Sequence, residues 1–354
     1  MPWRAPKPPT RSCATANSSC KADVVFLTLF LTAFIGALII TPRIVVASHR
    51  LGLMDVPGGR KVHTSPVPRM GGVAIALALA VTLGVAVIID AHATGGPRPD
   101  PRSLLPIISG AALVFAVGFW DDVDPVGPAM KLLVECAAAT IVIAAGLTIT
   151  RVTVSGTTYE LGWLTFPVTA IWIVAVTNAF NLMDGLDGLA AGLIAIAATT
   201  CATVLLARGE QPAAMLLVSL VGAVLGFLVY NFHPAKIFMG DSGSLLAGFL
   251  LAVTAIIGRQ KGATALAVGV PLLIFALPLA EAVITIGRRL LARDASGQSR
   301  IRLVAAVGRV LTGDRAHIHH RLLGIGFSHR GAVLTLYALM VLCSAVALLT
   351  MDVP

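Results

Sequence analysis

The chain has 354 residues, of which 57% are hydrophobic and 12% charged, with a formal net charge of +9 and a mean hydropathy of +0.90. Soluble domains carry about 25% charged residues, so a soluble globular fold is excluded; apolar runs of about 20 residues, enough to cross a bilayer as a helix, recur from end to end. The positive charge does not point to nucleic acid, because the basic residues flank apolar runs, where Lys and Arg report membrane topology; anionic substrates and lipid headgroups fit it better.

Residues 1–22 are polar, with Pro, Ser and four basic side chains, and are expected to form a disordered tail. Residues 23–350 form one integral-membrane unit, an all-α polytopic fold. Hydropathy predicts ten helices, at 24–46, 71–89, 104–120, 131–148, 165–181, 188–207, 212–230, 243–258, 264–290 and 331–349. The stretch "RVTVSGTTYELGW" (151–163) has β-branched residues around Ser155-Gly156 and is expected to be a short periplasmic hairpin between the fourth and fifth helices. No internal repeat is visible, which counts against a transporter with duplicated halves.

The connections after the odd-numbered helices (47–70, 121–131, 182–188, 231–243 and 291–330) carry 16 of the 26 Lys and Arg residues, helix ends included. The positive-inside rule makes that side cytoplasmic. Four basic residues of the tail oppose this assignment, and nine Arg around the ninth loop outweigh them. The polar clusters follow the same parity: "GGRKVHTSPVPRMGG", "DDVDPVGPAMK", "NAFNLMDGLDG", "NFHPAKIFMGDSGS" and "DRAHIHHRLL" all fall on this one face. An active site assembled at the cytoplasmic surface explains that asymmetry.

Each cluster has its own chemistry. Asp121 and Asp122 end an apolar helix, where ionisable groups are costly unless paired or functional; adjacent carboxylates suit Mg²⁺, which takes oxygen ligands alongside waters and phosphates. Asn178 and Asn181 lie one helical turn apart on one face, followed by Asp184 and Asp187 in Gly-containing turns, either of which could instead cap the next helix. Asp241 stands between Gly240 and Gly243 at a helix start, where the backbone amides favour anions, so a carboxylate beside phosphates there implies a bridging cation. Phe238 could stack on a base or anchor in lipid. Arg60, Lys61, His63 and Arg69 can neutralise a diphosphate or a lipid phosphate; topology signalling alone is the plainer alternative. In "DRAHIHHRLL", zinc, a lipid-facing basic patch and anion recognition all compete. The interleaved arginines disfavour a metal, and helical spacing puts His317 and His320 on one face with His319 on another.

Together these motifs resemble the polyprenyl-phosphate N-acetylhexosamine-1-phosphate transferases (glycosyltransferase family 4 type) over about residues 24–345. The carriers are "RKVHTSPVPRMGG", "DDVDPVGPAMK", "NAFNLMDGLDGLAAG", "FMGDSGS" and "DRAHIHHRLL". The "HIHH" form and Arg69 before Met-Gly-Gly are more similar to the undecaprenyl/decaprenyl-phosphate GlcNAc-1-phosphate branch than to the phospho-MurNAc-pentapeptide branch. The resemblance implies that UDP-HexNAc and polyprenyl phosphate give polyprenyl-diphosphate-HexNAc and UMP, the first membrane step of cell-envelope glycan synthesis. It implies Mg²⁺ as cofactor, with Mn²⁺ as a substitute, a bacterial cytoplasmic-membrane location and a homodimer as one assembly.

Carried over by motif, Asp241 and Asn181 hold the metal, and Asp121 activates or orients the acceptor phosphate with Asp122 beside it. Lys131 contacts a transferring phosphate, and Asp184 and Asp187 orient the nucleoside or the metal's surroundings. Phe238 stacks on uracil, and Arg315, His317, His319 and His320 bind the diphosphate, with Asn178 also toward substrate. Two departures stand out. Glu281 in "PLAE" replaces the usual Asp, and residues 293–313 form a longer link to the His motif, with apolar positions at helical spacing that fit a membrane-surface helix. The alternatives are a phospho-MurNAc-pentapeptide transferase or a non-enzymatic membrane transporter.

Overall fold

The computed structural model describes residues 13–55, 66–92, 101–154, 157–260, 269–291 and 317–351. Its helices are α1 (Cys13–Leu51), α2 (Gly71–His92), α3 (Pro101–Val123), α4 (Pro128–Ala144), α5 (Thr165–Leu182), α6 (Leu189–Ala207), α7 (Gln211–Asn231), α8 (Gly240–Gln260), α9 (Gly269–Ile274), α10 (Ala276–Leu291), α11 (Ile318–Gly324) and α12 (His329–Leu349). Two short antiparallel pairs accompany them, β1 (Met54–Asp55) with β2 (Val67–Pro68), and β3 (Arg151–Val154) with β4 (Thr157–Glu160). The second pair is the expected hairpin, with Arg151 opposite Glu160 and an ion pair of 2.6 Å between them.

The fold is all-α and polytopic. Eight of the described helices (α1, α2, α3, α5, α6, α7, α8 and α12) are long and apolar enough to cross a membrane. The expected ten also counted α4, which is 17 residues long, and the stretch 264–290, which is broken at Phe275 into α9 and α10. Pro278 explains the break: it has no N–H for the Ile274 carbonyl four residues back, and its ring crowds that carbonyl. The helical start at Cys13 lies inside the stretch expected to be a disordered tail. The link 293–313 lies outside the described residues.

The bundle sorts its helices by composition. Leu27, Leu31, Ile35 and Ile39 of α1 recur every four residues and are exposed, while Leu29, Ala33 and Ala37 are buried; spacing near 3.6 puts each set on one stripe, so one face meets lipid and the other the bundle. On that inner face, a Cβ on Gly222 or Gly226 of α7 would lie 2.4 Å from the carbonyls of Phe30 or Phe34. Only glycine lets α1 and α7 approach this closely, as small residues do between membrane helices. The most enclosed span is α8, with 89% of its apolar window buried, packed against α2, α3, α5 and α6. Four buried hydroxyls in the spans are satisfied locally: Thr41, Thr82, Thr177 and Thr254 each donate to the carbonyl four residues back.

The turns α3–α4, α5–α6 and α7–α8 meet at one end of the bundle. There Phe238 N donates to the Pro68 carbonyl (2.8 Å), and Gly71 N and Gly72 N donate to the carbonyls of Phe238 (2.9 Å) and Met239 (2.7 Å). Described parts of four of the polar motifs that share parity in the sequence are therefore in contact around the N-terminus of α8.

Candidate active site

The site is built on the first turn of α8, whose leading amides have no partners within the helix. Asp122 supplies them. Its Oδ1 accepts from Asp241 N (2.8 Å), and its Oδ2 accepts from Ser242 N (3.1 Å) and from Ser242 Oγ. Asp184 Oδ2 accepts from Gly240 N (3.1 Å). Two carboxylates from other helix ends thus cap α8 and complement its dipole. Asp122, expected beside Asp121, holds the helix that carries Asp241. Arg69 Nη2 lies 3.9 Å from Asp122 Oδ1, and Arg69 Nη1 lies 3.9 Å from Asp55 Oδ1, so Arg69 sits at the edge of the same cluster.

At the centre is Lys131. Its Nζ is 3.0 Å from Asp121 Oδ1 and 2.6 Å from Asp241 Oδ2, joining the ends of α3, α4 and α8. Asp121 also accepts from Val126 N (2.8 Å), which shapes the α3–α4 turn and aims its carboxylate at the lysine. Asn181 Nδ2 is 3.4 Å from Asp241 Oδ2, while its Oδ1 accepts from Ser244 Oγ (2.8 Å). Through these two contacts Asn181 orients Asp241. Desolvation first, then the charges of Asp241 and Asp122, push the Asp184 carboxyl up to about 7.

The donors at this centre fit a hard divalent cation. They are carboxylate oxygens, and Asp241 makes both its bonds through Oδ2, leaving Oδ1 without a hydrogen-bond partner among the described residues. The ammonium between Asp121 and Asp241 marks where positive charge is stabilised.

Other expected residues lie elsewhere. Asn178 Nδ2 donates to Glu135 Oε2 and to the Val174 carbonyl (2.9 Å), so it faces α4 inside the bundle. Asp187 Oδ2 is bonded to His233 Nδ1 (2.7 Å) and Ala235 N (3.1 Å), on the outer side of the α7–α8 turn. Phe238 is half-buried where β2 meets that turn. Arg60, Lys61, His63 and Arg315 lie outside the described residues.

The histidine motif differs from its expected geometry. His317 precedes α11 with extended backbone (φ −66°, ψ 151°), so helical spacing does not apply to it. All three rings gather, with centroids 5.5 Å apart for His317 and His319 and 4.5 Å for His319 and His320. Glu281 anchors the cluster: it accepts from Ile318 N (3.1 Å), and its Oε1 pairs with His317 Nδ1 (2.8 Å). His319 is 1% exposed. Burial first, then the neighbouring rings of His320 and His317, push its pKa down to about 3, so it is a neutral donor and acceptor.

His319 lies against the α5–α6 turn. A Cβ on Gly185 would sit 2.4 Å from His319 Nε2, and the buried ring has no room to retreat. Gly185→Ala is therefore expected to cost about 1–3 kcal/mol of overpacking, read as a lowered thermal midpoint in detergent. The further change His319→Ala should recover most of it; a Gly185→Ala midpoint equal to wild type would refute the contact.

Sequence reading missed Glu135, Ser242, Ser244, His233 and His329. Glu135 alone had a signal, as a buried acid one turn after Lys131 in an apolar helix. The serines read as ordinary helix-start residues, and no spacing links His233 to His329.

These features define a class: a multi-pass all-α membrane protein with carboxylates, one lysine and a histidine cluster gathered at one end of the bundle. The profile described as Glycosyl transferase family 4 matches residues 104–259. The chain is 36% identical to the probable undecaprenyl-phosphate N-acetylglucosaminyl 1-phosphate transferase of Bacillus subtilis, covering 87% of this chain and 80% of that one. It is 35% identical to the decaprenyl-phosphate N-acetylglucosaminephosphotransferase of Mycolicibacterium smegmatis, over 87% and 77% of the two chains. A phospho-N-acetylmuramoyl-pentapeptide-transferase of Desulforudis audaxviator is 34% identical over 65% of this chain and 75% of its own. The chain belongs to the polyprenyl-phosphate N-acetylhexosamine-1-phosphate transferases of glycosyl transferase family 4.

Proposed function

We propose that this membrane enzyme transfers GlcNAc-1-phosphate from UDP-GlcNAc to polyprenyl phosphate, giving polyprenyl-diphosphate-GlcNAc and UMP at the cytoplasmic face, with Mg²⁺. The observation that carries this reading is Lys131, held between Asp121 and Asp241 at the start of α8. Phosphoryl transfer asks a protein for positioning and charge neutralisation more than for covalent chemistry. Lys131 and the α8 dipole supply fixed positive charge, Asp121 and Asp241 aim the ammonium, and Asn181 and Ser244 aim Asp241. The acceptor attacks directly: a lipid-phosphate oxygen bonds to the β-phosphorus of the sugar nucleotide as the bond to the α-phosphate oxygen breaks. A phosphate monoester is already largely ionised near pH 7, so the acceptor needs little activation by Asp121. Neutral His319, backed by Glu281 through His317, supports the motif that faces the diphosphate. Mg²⁺, when bound at Asp241, supplies charge neutralisation on the diphosphate.

The test is UMP release by purified protein with polyprenyl phosphate and Mg²⁺, run in parallel on UDP-GlcNAc, UDP-GalNAc and UDP-MurNAc-pentapeptide. Turnover with UDP-GlcNAc that is lost without Mg²⁺ is expected. UMP from the pentapeptide donor alone moves the chain to the other branch, and no UMP from any donor refutes the reading. Asp241→Asn with wild-type turnover would overturn the metal assignment.

A further inference from the structure

A second group of ligand-type side chains joins the α5–α6 turn to two other segments, without Lys131, Asp121 or Asp241. Asp187, His233 and His329 bring one donor atom each to within 4.8 Å of one another. They come from three separate segments: the α5–α6 turn, the α7–α8 turn and the first turn of α12. His233 Nδ1 is 2.7 Å from Asp187 Oδ2. The rings of His233 and His329 are nearly parallel, with centroids 4.1 Å apart. His329 Nε2 is buried and has no hydrogen-bond partner among the described residues, which is costly for a ring nitrogen unless something occupies that position.

The three segments are fixed by bonds independent of this group. Arg330 donates to the His233 carbonyl through Nε (3.2 Å) and Nη2 (3.0 Å). Tyr337 Oη of α12 donates to the Gly188 carbonyl, and Gly188 N donates to Asn231 Oδ1 (3.1 Å). Within the group, Ala235 N also holds Asp187 Oδ2 (3.1 Å). The ligands are thus preorganised, and the site opens to solvent on one side, where the His233 side chain is 38% exposed.

From this geometry we propose that Asp187, His233 and His329 form a binding site for a divalent transition-metal ion of the zinc class, separate from the carboxylate centre at Asp241. Two imidazoles and one carboxylate are the donor set zinc takes with a fourth position left to water, whereas Mg²⁺ prefers oxygen ligands alone. Bonds of about 2.0–2.1 Å hold tetrahedral ligand atoms about 3.3 Å apart, inside the present spread, so ring rotation without backbone movement closes the site. The metal takes the position of the proton now shared by His233 and Asp187. Occupied, the site pins the start of α12 to the α5–α6 turn that carries Asp184 and to the α7–α8 turn that leads into Asp241.

The probe is Co²⁺ alone, titrated into metal-stripped, full-length protein purified in detergent through a tag without histidine and without Mg²⁺. Four- or five-coordinate Co²⁺ with nitrogen ligands absorbs far more strongly in the visible than an octahedral all-oxygen site. The expected result is a saturable visible band that Zn²⁺ displaces, lost in His329→Ala and in His233→Ala and kept in Asp241→Asn. The His329→Cys variant should bring a new thiolate charge-transfer band, which a damaged fold would not produce. Co²⁺ affinity in His329→Ala should fall by more than the about 10–100-fold that loss of an outer hydrogen-bond partner costs. No band in the wild type, a band unchanged in His329→Ala, or a band lost in Asp241→Asn would each overturn the proposal.

Discussion

Lys131→Met is expected to reduce UMP release by about 10²–10³, the loss that follows removal of one preorganised group stabilising transition-state charge. Among the described residues the lysine is the one cation placed between Asp121 and Asp241, at 3.0 and 2.6 Å. Methionine keeps most of the stem's volume and removes the charge, so the two carboxylates face each other and the transferred phosphoryl group at once. Like charges held this close disfavour each other's ionised form, and an anionic substrate adds to the repulsion. Lys131→Arg keeps the charge but spreads it over a planar fork that does not match a point-charge site, so it should recover part of the rate. A Met variant with wild-type turnover would remove Lys131 from the chemistry. Equal turnover of Arg and Met variants, both far below wild type, would show that shape rather than charge is the requirement.

The second large effect is on stability. Asp122→Ala removes the acceptor for Asp241 N, Ser242 N and Ser242 Oγ, and leaves those donors buried at the start of the most enclosed helix. Removing one partner of a buried charged network costs about 3–5 kcal/mol, so the thermal midpoint in detergent should fall sharply. Asp122→Asn retains one acceptor oxygen and should fall less. The measurement also separates the two roles. A helix-capping Asp122 lowers the midpoint and takes activity with it; an Asp122 that acts on substrate would lose turnover at an unchanged midpoint, and that result would return it to the role its motif implies.

Asp121 and Asp122 show how far adjacent positions can diverge. Both are acidic, both end α3, and nothing in their local pattern distinguishes them. One rotation step along the helix sends Asp121 to Lys131 and Asp122 to α8. The histidines teach the same point: a helical reading of 314–323 separates His317 and His320 from His319, but α11 begins only at Ile318, because Glu281 takes its first amide and His317 stays extended. The break at Phe275 has a local cause, Pro278 acting on the Ile274 carbonyl, yet the run 264–290 reads as one helix on hydropathy alone.

By itself, the sequence determined what depends on composition and short-range periodicity: the membrane class, the eight long apolar helices among its ten, the 151–160 hairpin and the gathering of polar motifs at loops of one parity. A bilayer needs long apolar helices, and polar groups must gather where those helices end, so both are written in the order of residues. The tertiary structure alone decided which polar group meets which. The capping of α8 by Asp122 and Asp184, the Lys131 bridge, the seating of His319 on Gly185 and the meeting of Asp187, His233 and His329 join segments distant along the chain. Such contacts depend on helix rotation and axial offset, which are set by close packing such as Gly222 and Gly226 against α1, and no local pattern encodes them.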